Sequence, residues 1–298
     1  MSTIVDNFIR SPDETEINFQ GSRIMSNNNT TAALVQFPVW KSSNRALPNV
    51  IVRSSLFTAR NSRTPRDYRD NELLAVVGPG EIRYTGKELR QDDEDVLMCL
   101  ANIARKIYGN RKLVEPEKRY RIPFNRGRLI ADLSWTRNAR SYQRLRACMT
   151  RLKATELVVR ASLTETTDAG RSVSLLAEYA WNEDEYWAEI PSLFFALYGQ
   201  QYTSLNWAQR QKLPAGLARW LQAYALSHKK CFPVKIETIA KGAGLEIPKN
   251  SNEKRKFRQI LKRACKELVK AGVLLEAGVY SDLFIYEKMS QSADNLGT

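Results

Sequence analysis

Residues 138–154 read NARSYQRLRACMTRLKA, and this stretch decides the fold. Its apolar residues recur every three or four positions, which predicts a helix with one buried face, and arginines fill the other faces. A shorter helix is predicted just before it, over residues 127–133, and the intervening SWT separates the two helices. Two strands are predicted after it, over residues 157–161 and 173–179, joined by a polar turn. A short helix, a tight turn, a longer basic helix and a β-hairpin, in that order, predict a winged helix.

The same order of elements returns near the C-terminus. A short helix is predicted over residues 234–243, where Gly244 ends it, and a long basic helix over residues 252–271, with Ser251 as its N-cap. A second hairpin is predicted from strands over residues 273–277 and 283–287, which flank Gly278. The sequence therefore predicts an α+β fold made of two tandem winged-helix domains.

The predicted domain boundaries follow from composition. A polar run, SNNNTT at residues 26–31, predicts a flexible N-terminal arm over residues 1–45. The N-terminal winged helix is predicted over residues 46–208 and the C-terminal winged helix over residues 209–290. The remaining tail, residues 291–298, is polar and is predicted to be disordered.

An acidic run lies inside a further hairpin-and-helix segment. Residues 72–77 and 82–84 predict a hairpin that turns at the intervening GPG. TGKE at residues 85–88 has the spacing of a capping box and predicts the start of a helix whose apolar face continues to Ile107. Four successive acids at residues 92–95 point in different directions on such a helix. We therefore expect them to favour the helix N-terminus rather than to bind a metal ion.

The positive charge is concentrated in two blocks. The chain carries 46 Lys and Arg against 32 Asp and Glu, a formal net charge of +14. Residues 111–160 hold 14 basic and 4 acidic side chains, and residues 249–298 hold 10 and 6. Each block contains one of the predicted basic helices. Two basic blocks in a folded chain indicate two contacts with a polyanion, although two solvated helix faces would give the same composition.

Both basic helices have the composition expected of a helix that enters the DNA major groove. That groove is about 12 Å wide and admits one helix. Arginine reads guanine with two hydrogen bonds, and lysine binds phosphate as a point charge. The major groove of A-form RNA is deep and narrow, so duplex DNA is favoured. The candidate DNA-binding residues are Arg137, Asn138, Arg140, Arg144 and Arg151 in the first helix, and Ser251, Asn252, Lys254, Arg255, Arg258 and Lys262 in the second.

The sequence argues against an enzyme. Its one histidine, His228, excludes paired-His zinc sites and the two-histidine site of nicking enzymes. It contains no GxxxxGK[ST] phosphate-binding loop and no Asp/Glu-x-Lys spacing. We therefore predict no enzymatic activity, no cofactor and no metal. The tryptophans are dispersed along the chain and are interpreted as core residues rather than as a base-stacking platform.

Composition also predicts the compartment. The four cysteines form no CxxC pair and are interpreted as reduced thiols. No apolar run approaches the ~20 residues that span a bilayer, and the N-terminus lacks the pattern of a signal peptide. A cytoplasmic protein without a membrane contact is predicted.

The resemblance to one family lies in four segments: LPNVIVRSSLFTARN at residues 47–61, YTGKELRQDDE at residues 84–94, residues 141–155 and residues 213–273. In this order they are similar to the TrfA-type plasmid replication initiators. The resemblance implies bacterial proteins that bind direct repeats (iterons) at a plasmid origin as monomers. It implies that they help to open the origin and recruit the host replicative helicase and initiator proteins. It also implies inactive dimers, formed largely through the N-terminal winged helix, and no cofactor, because binding and DNA distortion drive opening.

Two alternatives stay open. The family carries a QLSLF segment that binds the replicative sliding clamp. The best match in this chain is ALVQF at residues 33–37, which has Ala33 in place of the glutamine, so the sliding clamp is a possible partner only.

The alternative function is a tandem winged-helix transcriptional repressor, which would have the same sequence features. A recombination or nicking enzyme is a third hypothesis, against which the residues argue.

Overall fold

The computed structural model describes residues 37–77, 80–109, 117–160, 170–182, 186–199 and 201–289. The first 36 residues of the predicted arm, residues 164–169 of the predicted polar turn (164–170) and the tail at residues 291–298 lie outside these ranges. In the described part of the chain, no helix is both long enough and apolar enough to cross a bilayer. The described residues gather around two hydrophobic cores.

The N-terminal unit, residues 37–206, surrounds the larger core with helices and small sheets. Its strands pair as β1-β11, as parallel β2-β5, as β6-β10-β9 and as β3-β4-β7-β8. The elements are β1 (Asn44–Pro48), α1 (Asn49–Val52), β2 (Phe57–Thr58), β3 (Tyr68–Val77), β4 (Gly80–Lys87), β5 (Leu89–Arg90), α2 (Gln91–Tyr108), β6 (Arg119–Phe124), α3 (Arg126–Asp132), α4 (Ala139–Lys153), β7 (Glu156–Arg160), β8 (Gly170–Val173), β9 (Glu178–Trp181), β10 (Tyr186–Pro191), α5 (Ser192–Ala196) and β11 (Tyr202–Asn206).

The C-terminal unit, residues 207–289, packs its helices on one sheet of order β12-β14-β13. Its elements are α6 (Trp207–Lys212), α7 (Leu217–Ser227), β12 (Val234–Lys235), α8 (Ile236–Gly242), α9 (Ser251–Lys270), β13 (Leu274–Tyr280) and β14 (Leu283–Lys288). Together the two units make a mixed α/β protein, as predicted.

The helices expected from apolar periodicity are present. The predicted helices at residues 127–133 and 138–154 are α3 and α4, and those at 234–243 and 252–271 are α8 and α9. The hairpin predicted around GPG is β3-β4. Periodicity predicted these elements well because each buries one stripe of apolar residues.

The strand predicted over residues 173–179 is wrong as a single element. β8 ends at Val173 beside β7, and β9 begins at Glu178 in another sheet. Between them, Leu175 and Leu176 are fully buried, and the Leu175 amide donates a hydrogen bond to the Thr155 hydroxyl at 2.9 Å. Two successive leucines that turn into the core interrupt the alternation that a strand needs.

The helix start predicted at TGKE is also wrong. Residues 85–87 continue strand β4, and α2 begins at Gln91, where the Asp93 carboxylate accepts a hydrogen bond from the Arg90 amide at 2.9 Å. At the other end of this helix, Ile107 is 45% exposed instead of facing the core.

The described part of the predicted flexible arm, residues 37–45, is packed against the N-terminal core. Phe37 is buried and lies 4.7 Å, ring centre to ring centre, from Phe195. Trp40 stacks on Tyr198 at 5.6 Å. The ordered unit therefore starts before residue 46. Phe37, the aromatic residue of the ALVQF segment, is enclosed in this core and unavailable to a sliding clamp in this conformation.

Two predicted positions in the C-terminal unit need correction. Asn250, not Ser251, caps α9, because its side-chain oxygen accepts a hydrogen bond from the Glu253 amide at 3.0 Å. The hairpin turns at Ser281, where φ is 44°, and not at Gly278. Gly278 lies within β13, where a Cβ atom would come within 2.7 Å of the Tyr280 ring. A glycine there marks a close side-chain approach rather than a turn.

Candidate nucleic-acid interface

The first candidate surface is the outward side of α4. Asn138 caps this helix, since its side-chain oxygen accepts a hydrogen bond from the Ser141 amide at 2.9 Å. The helix packs through one apolar face against α2 and α3. The buried residues of that face are Leu145, Cys148, Met149 and Leu152. The core contact therefore leaves the opposite side of the helix in solvent.

Four of the five residues predicted for this surface are exposed there. Arg137, Asn138 and Arg140 lie at the start of α4. The Arg144 side chain is 45% exposed, with its guanidinium 4.1 Å from the centre of the Trp135 ring and 3.5 Å from the Asp92 carboxylate. These residues form a cationic patch at the N-terminal half of the helix.

Arg151 is the fifth, and the structure corrects its assignment. Its guanidinium donates two hydrogen bonds to one carboxylate oxygen of Asp93, at 2.7 and 2.9 Å, and its side chain is only 15% exposed. Burial raises the pKa of Asp93, the neighbouring Asp92 raises it further, and Arg151 and Arg66 oppose the shift. A buried carboxylate needs such partners to stay ionised. Arg151 therefore supports the fold and is not available to DNA.

The acidic run at the start of α2 pairs with arginines from both units. Arg66 contacts Asp92 at 2.9 Å and Asp93 at 2.7 Å. Arg210 of α6 is fully buried and contacts Glu94 at 2.7 Å and Asp95 at 2.6 Å. Arg219 of α7 also pairs with Asp95. The acids thus tie the C-terminal unit to α2, which in turn packs against α4.

Three potential metal donors meet in this network. One ligand atom each from Asp92, Asp93 and Cys148 lies within 4.8 Å of the others. Both carboxylates already have guanidinium partners, and burial raises the pKa of the Cys148 thiol well above its usual value. A protonated thiol and two neutralised carboxylates do not fit a cation.

The second candidate surface is the outward side of α9. Phe257, Leu261, Ala264 and Leu268 are buried as predicted, together with Cys265. The predicted residues Ser251, Asn252, Arg255 and Lys262 are exposed. The same side also exposes four basic residues outside the predicted set: Lys256, Arg263, Lys266 and Lys270. The helical period places Lys256 and Arg263 opposite the buried stripe, so their exposure could have been predicted from the sequence.

Lys254 and Arg258 lie on the flank of α9 rather than on its outward side. The Lys254 ammonium is 2.6 Å from Glu237 of α8 and 3.6 Å from Asp282. Arg258 is 3.3 Å from the same Asp282 carboxylate, at the hairpin turn. Both residues brace α9 against its neighbours and are only partly free to contact a ligand.

One tryptophan departs from the predicted core role. Trp181 of β9 is 44% exposed, stacks on Tyr179 at 5.4 Å and lies beside α4. Tyr142, Tyr186 and Phe124 line a shallow pocket with it. Trp181 and Tyr186 lie on successive strands, whereas Phe124 reaches them through the pairing of β6 with β10 and Tyr142 through the packing of α4 beside β9.

Comparison with known proteins places the chain in a family. The family model described as TrfA protein matches residues 25–288. The plasmid replication initiator protein TrfA of Escherichia coli is 32% identical over 266 residues, which are 84% of this chain and 63% of that protein. The chain belongs to the TrfA family and spans somewhat less than two thirds of the length of this curated relative.

One solved structure supports the fold. The crystal structure of SeMet derivatives of domains 2 and 3 of RctB aligns with a TM-score of 0.54 and 12% identity, over 82% of this chain and 99% of that one. A second RctB structure, covering its domains 2–3, has a TM-score of 0.48 and 14% identity over 74% of this chain and 83% of that one.

Proposed function

We propose that this chain is a plasmid replication initiator that binds direct repeats (iterons) at its origin as duplex DNA. One observation carries the proposal: two separately packed units each present a capped helix with an apolar inner face and a cationic outer face. Membership of the TrfA family supports a plasmid origin as the target.

Each unit would act as a winged helix. In the N-terminal unit the order is α3, α4 and then β7-β8, and in the C-terminal unit it is α8, α9 and then β13-β14. The second helix of each set has the width and charge to enter a major groove. The proposed DNA-contacting residues are Arg137, Asn138, Arg140 and Arg144 in α4, and Ser251, Asn252, Arg255, Lys256, Lys262, Arg263 and Lys266 in α9.

The remaining steps of initiation would need no catalysis. The proposed protein would help to open the origin by bending and unwinding bound DNA, then recruit the host replicative helicase and initiator proteins in the bacterial cytoplasm. No cofactor enters this scheme. A dimer would hold the protein inactive and restrain copy number.

A gel-shift titration against the DNA that flanks the encoding gene tests this function. We expect a ladder of discrete complexes on a segment of direct repeats and much weaker binding to a scrambled segment. The double variant Arg255→Ala/Lys262→Ala should weaken the ladder, whereas Lys212→Ala should not, because that exposed lysine lies on α6, outside both sets of elements. Equal binding of repeat and scrambled DNA would overturn the proposal. A single complex at a promoter palindrome would indicate the repressor instead.

A further inference from the structure

Three arginines around α4 lie over aromatic rings. The guanidinium of Arg144 is 4.1 Å from the ring centre of Trp135, and that of Arg146 is 4.5 Å from the ring centre of Trp181. On α3, the guanidinium of Arg126 lies 4.7 Å from the Tyr142 ring and 5.2 Å from the Tyr186 ring. A guanidinium that stacks on a ring keeps most of its N–H groups for other partners. Arg126 uses one of them on the Tyr186 hydroxyl at 2.8 Å, and Arg144 lies 3.5 Å from Asp92, so the remaining N–H groups can meet phosphate.

The rings beneath these arginines are themselves held in place. Trp181 and Tyr186 are directly paired across β9 and β10, and Phe124 of β6 continues the same row. Tyr179 stacks on Trp181, and its hydroxyl lies 2.7 Å from the Thr150 hydroxyl of α4. The sheet and the helix are therefore joined at the place where the arginines project.

Arg144 and Arg146 project from opposite flanks of α4. Residues two positions apart on a helix are separated by about 200° around its axis. Arg144 turns toward Trp135 and Asp92, whereas Arg146 turns toward the sheet. A helix in a major groove has one phosphate ridge on each flank. The two stacked arginines are thus placed to meet the two ridges.

We propose that Arg126, Arg144 and Arg146 form a preordered set of phosphate-binding guanidinium groups on the two flanks of α4, and that Trp135, Trp181 and Tyr186 are positioning residues for DNA binding. The rings fix the orientation of each guanidinium before DNA arrives, so less side-chain freedom is lost on binding. This inference rests on the proposed duplex-DNA function and extends the footprint from the outward side of α4 to its flanks.

The same sheet supplies a matched control on its other face. Arg121 of β6 stacks on Trp187 of β10 at 4.0 Å. Successive residues of a strand point to opposite faces, so Trp187 points away from the face that carries Tyr186. The Arg121–Trp187 pair has the same chemistry without the proposed contact with DNA. Arg121 is also the control for an arginine-to-lysine change.

The experiment measures fluorescence anisotropy of full-length variants on an origin repeat at several salt concentrations, together with thermal unfolding of each variant. Trp181→Leu should weaken binding about 2- to 5-fold, the effect of one exposed cation–π contact, and lower the salt slope by about one phosphate contact. Trp187→Leu should leave both quantities unchanged. Arg146→Lys should reproduce the loss of affinity, and Arg121→Lys should leave the affinity unchanged.

Equal effects of Trp181→Leu and Trp187→Leu would overturn the inference, as would a loss of affinity that merely follows a loss of folded protein. If Trp181→Leu weakens binding to single-stranded DNA and spares the duplex, the ring stacks on bases and does not position Arg146, which also overturns it. Failure of the wild-type protein to bind any origin duplex would instead overturn the proposed function.

Discussion

The helices α4 and α9 follow the same order of elements but hold their cationic side chains differently. In α4, Arg144 and Arg146 lie on aromatic rings, and Arg151 is committed to a buried carboxylate. In α9, Lys254 and Arg258 pair with carboxylates on one flank, and the outward side carries a mixture of lysine and arginine in solvent. Oriented arginines that bind phosphate fix how α4 lies in the groove and leave Arg140 to read base edges. Lysines in solvent suit general attraction to phosphate. We therefore expect α4 to discriminate between sequences more than α9 does.

The largest expected effect comes from removing Arg210, the buried arginine that links the two units. Arg210→Met leaves Glu94 and Asp95 buried without their main cation, and removing one partner of a buried pair costs about 3–5 kcal/mol. Denaturant unfolding measures this loss. Lys212→Met, an exposed position on the same helix, should change stability by less than about 0.5 kcal/mol. Similar results for the two variants would contradict the structural role of the acidic run.

The next-largest effect distinguishes the contribution of α4 to DNA binding from that of α9. Arg140→Ala in α4 should weaken binding to the origin repeat by about 1–3 kcal/mol and reduce discrimination against scrambled DNA. Arg263→Ala in α9 should weaken binding to both DNAs equally and lower the salt slope by about one. Anisotropy titrations on both duplexes at several salt concentrations separate the two patterns. The same pattern for both variants would remove the proposed division of roles.

A smaller effect concerns the contact between the units near His228. Burial, followed by the nearby Arg53 cation, lowers the pKa of His228 to about 4 from an ordinary value of 6.5. The His228 imidazole therefore binds a proton more readily in the unfolded chain than in the folded one. The contribution of the neutral His228 side chain to the free energy of unfolding is fully present above pH 6.5 and is lost as the pH falls toward 4. Because the imidazole is partly in solvent, we expect a loss of about 1–2 kcal/mol.

Chemical unfolding of the wild type and of His228→Gln across this pH window checks the prediction. The variant should show a flatter dependence of stability on pH. An equally steep dependence would assign the acid sensitivity to other groups.

The smallest effect compares the two helix caps. Asn138→Ala and Asn250→Ala each remove a side-chain acceptor at a helix N-terminus and should cost about 1 kcal/mol. Ser251→Ala should be nearly neutral, because Ser251 is the first residue of α9 and not its cap. Thermal unfolding measures all three. A cost for Ser251→Ala as large as that for Asn250→Ala would restore the cap predicted from the sequence.

Local features of the fold could be predicted from the sequence, and long-range ones could not. The helical period predicted α4 and α9 and their buried leucines, because each helix buries a stripe of its own residues. It did not predict that Arg151 pairs with Asp93, which is 58 residues away, or that β4 pairs with β7. Nothing in a one-dimensional pattern distinguishes an arginine that contacts a buried carboxylate from one in solvent.

The same limit applies to the candidate site. The exposed residues Arg137, Arg140, Arg255 and Lys262 were predicted from charge and period. The row of Phe124, Tyr186 and Trp181 depends on the register of three strands and was missed. Lys256 and Arg263 were missed although the helical period alone places them on the outward side of α9.

Hydroxyl-radical footprinting of one origin repeat tests most directly whether both helices bind the same DNA. If α4 and α9 each contact the repeat, the wild type should protect two adjacent segments. Arg263→Ala/Lys266→Ala should lose one of these segments, and Arg140→Ala/Arg144→Ala should lose the other. A single protected segment that both double variants weaken to the same degree would contradict binding by two separate helices.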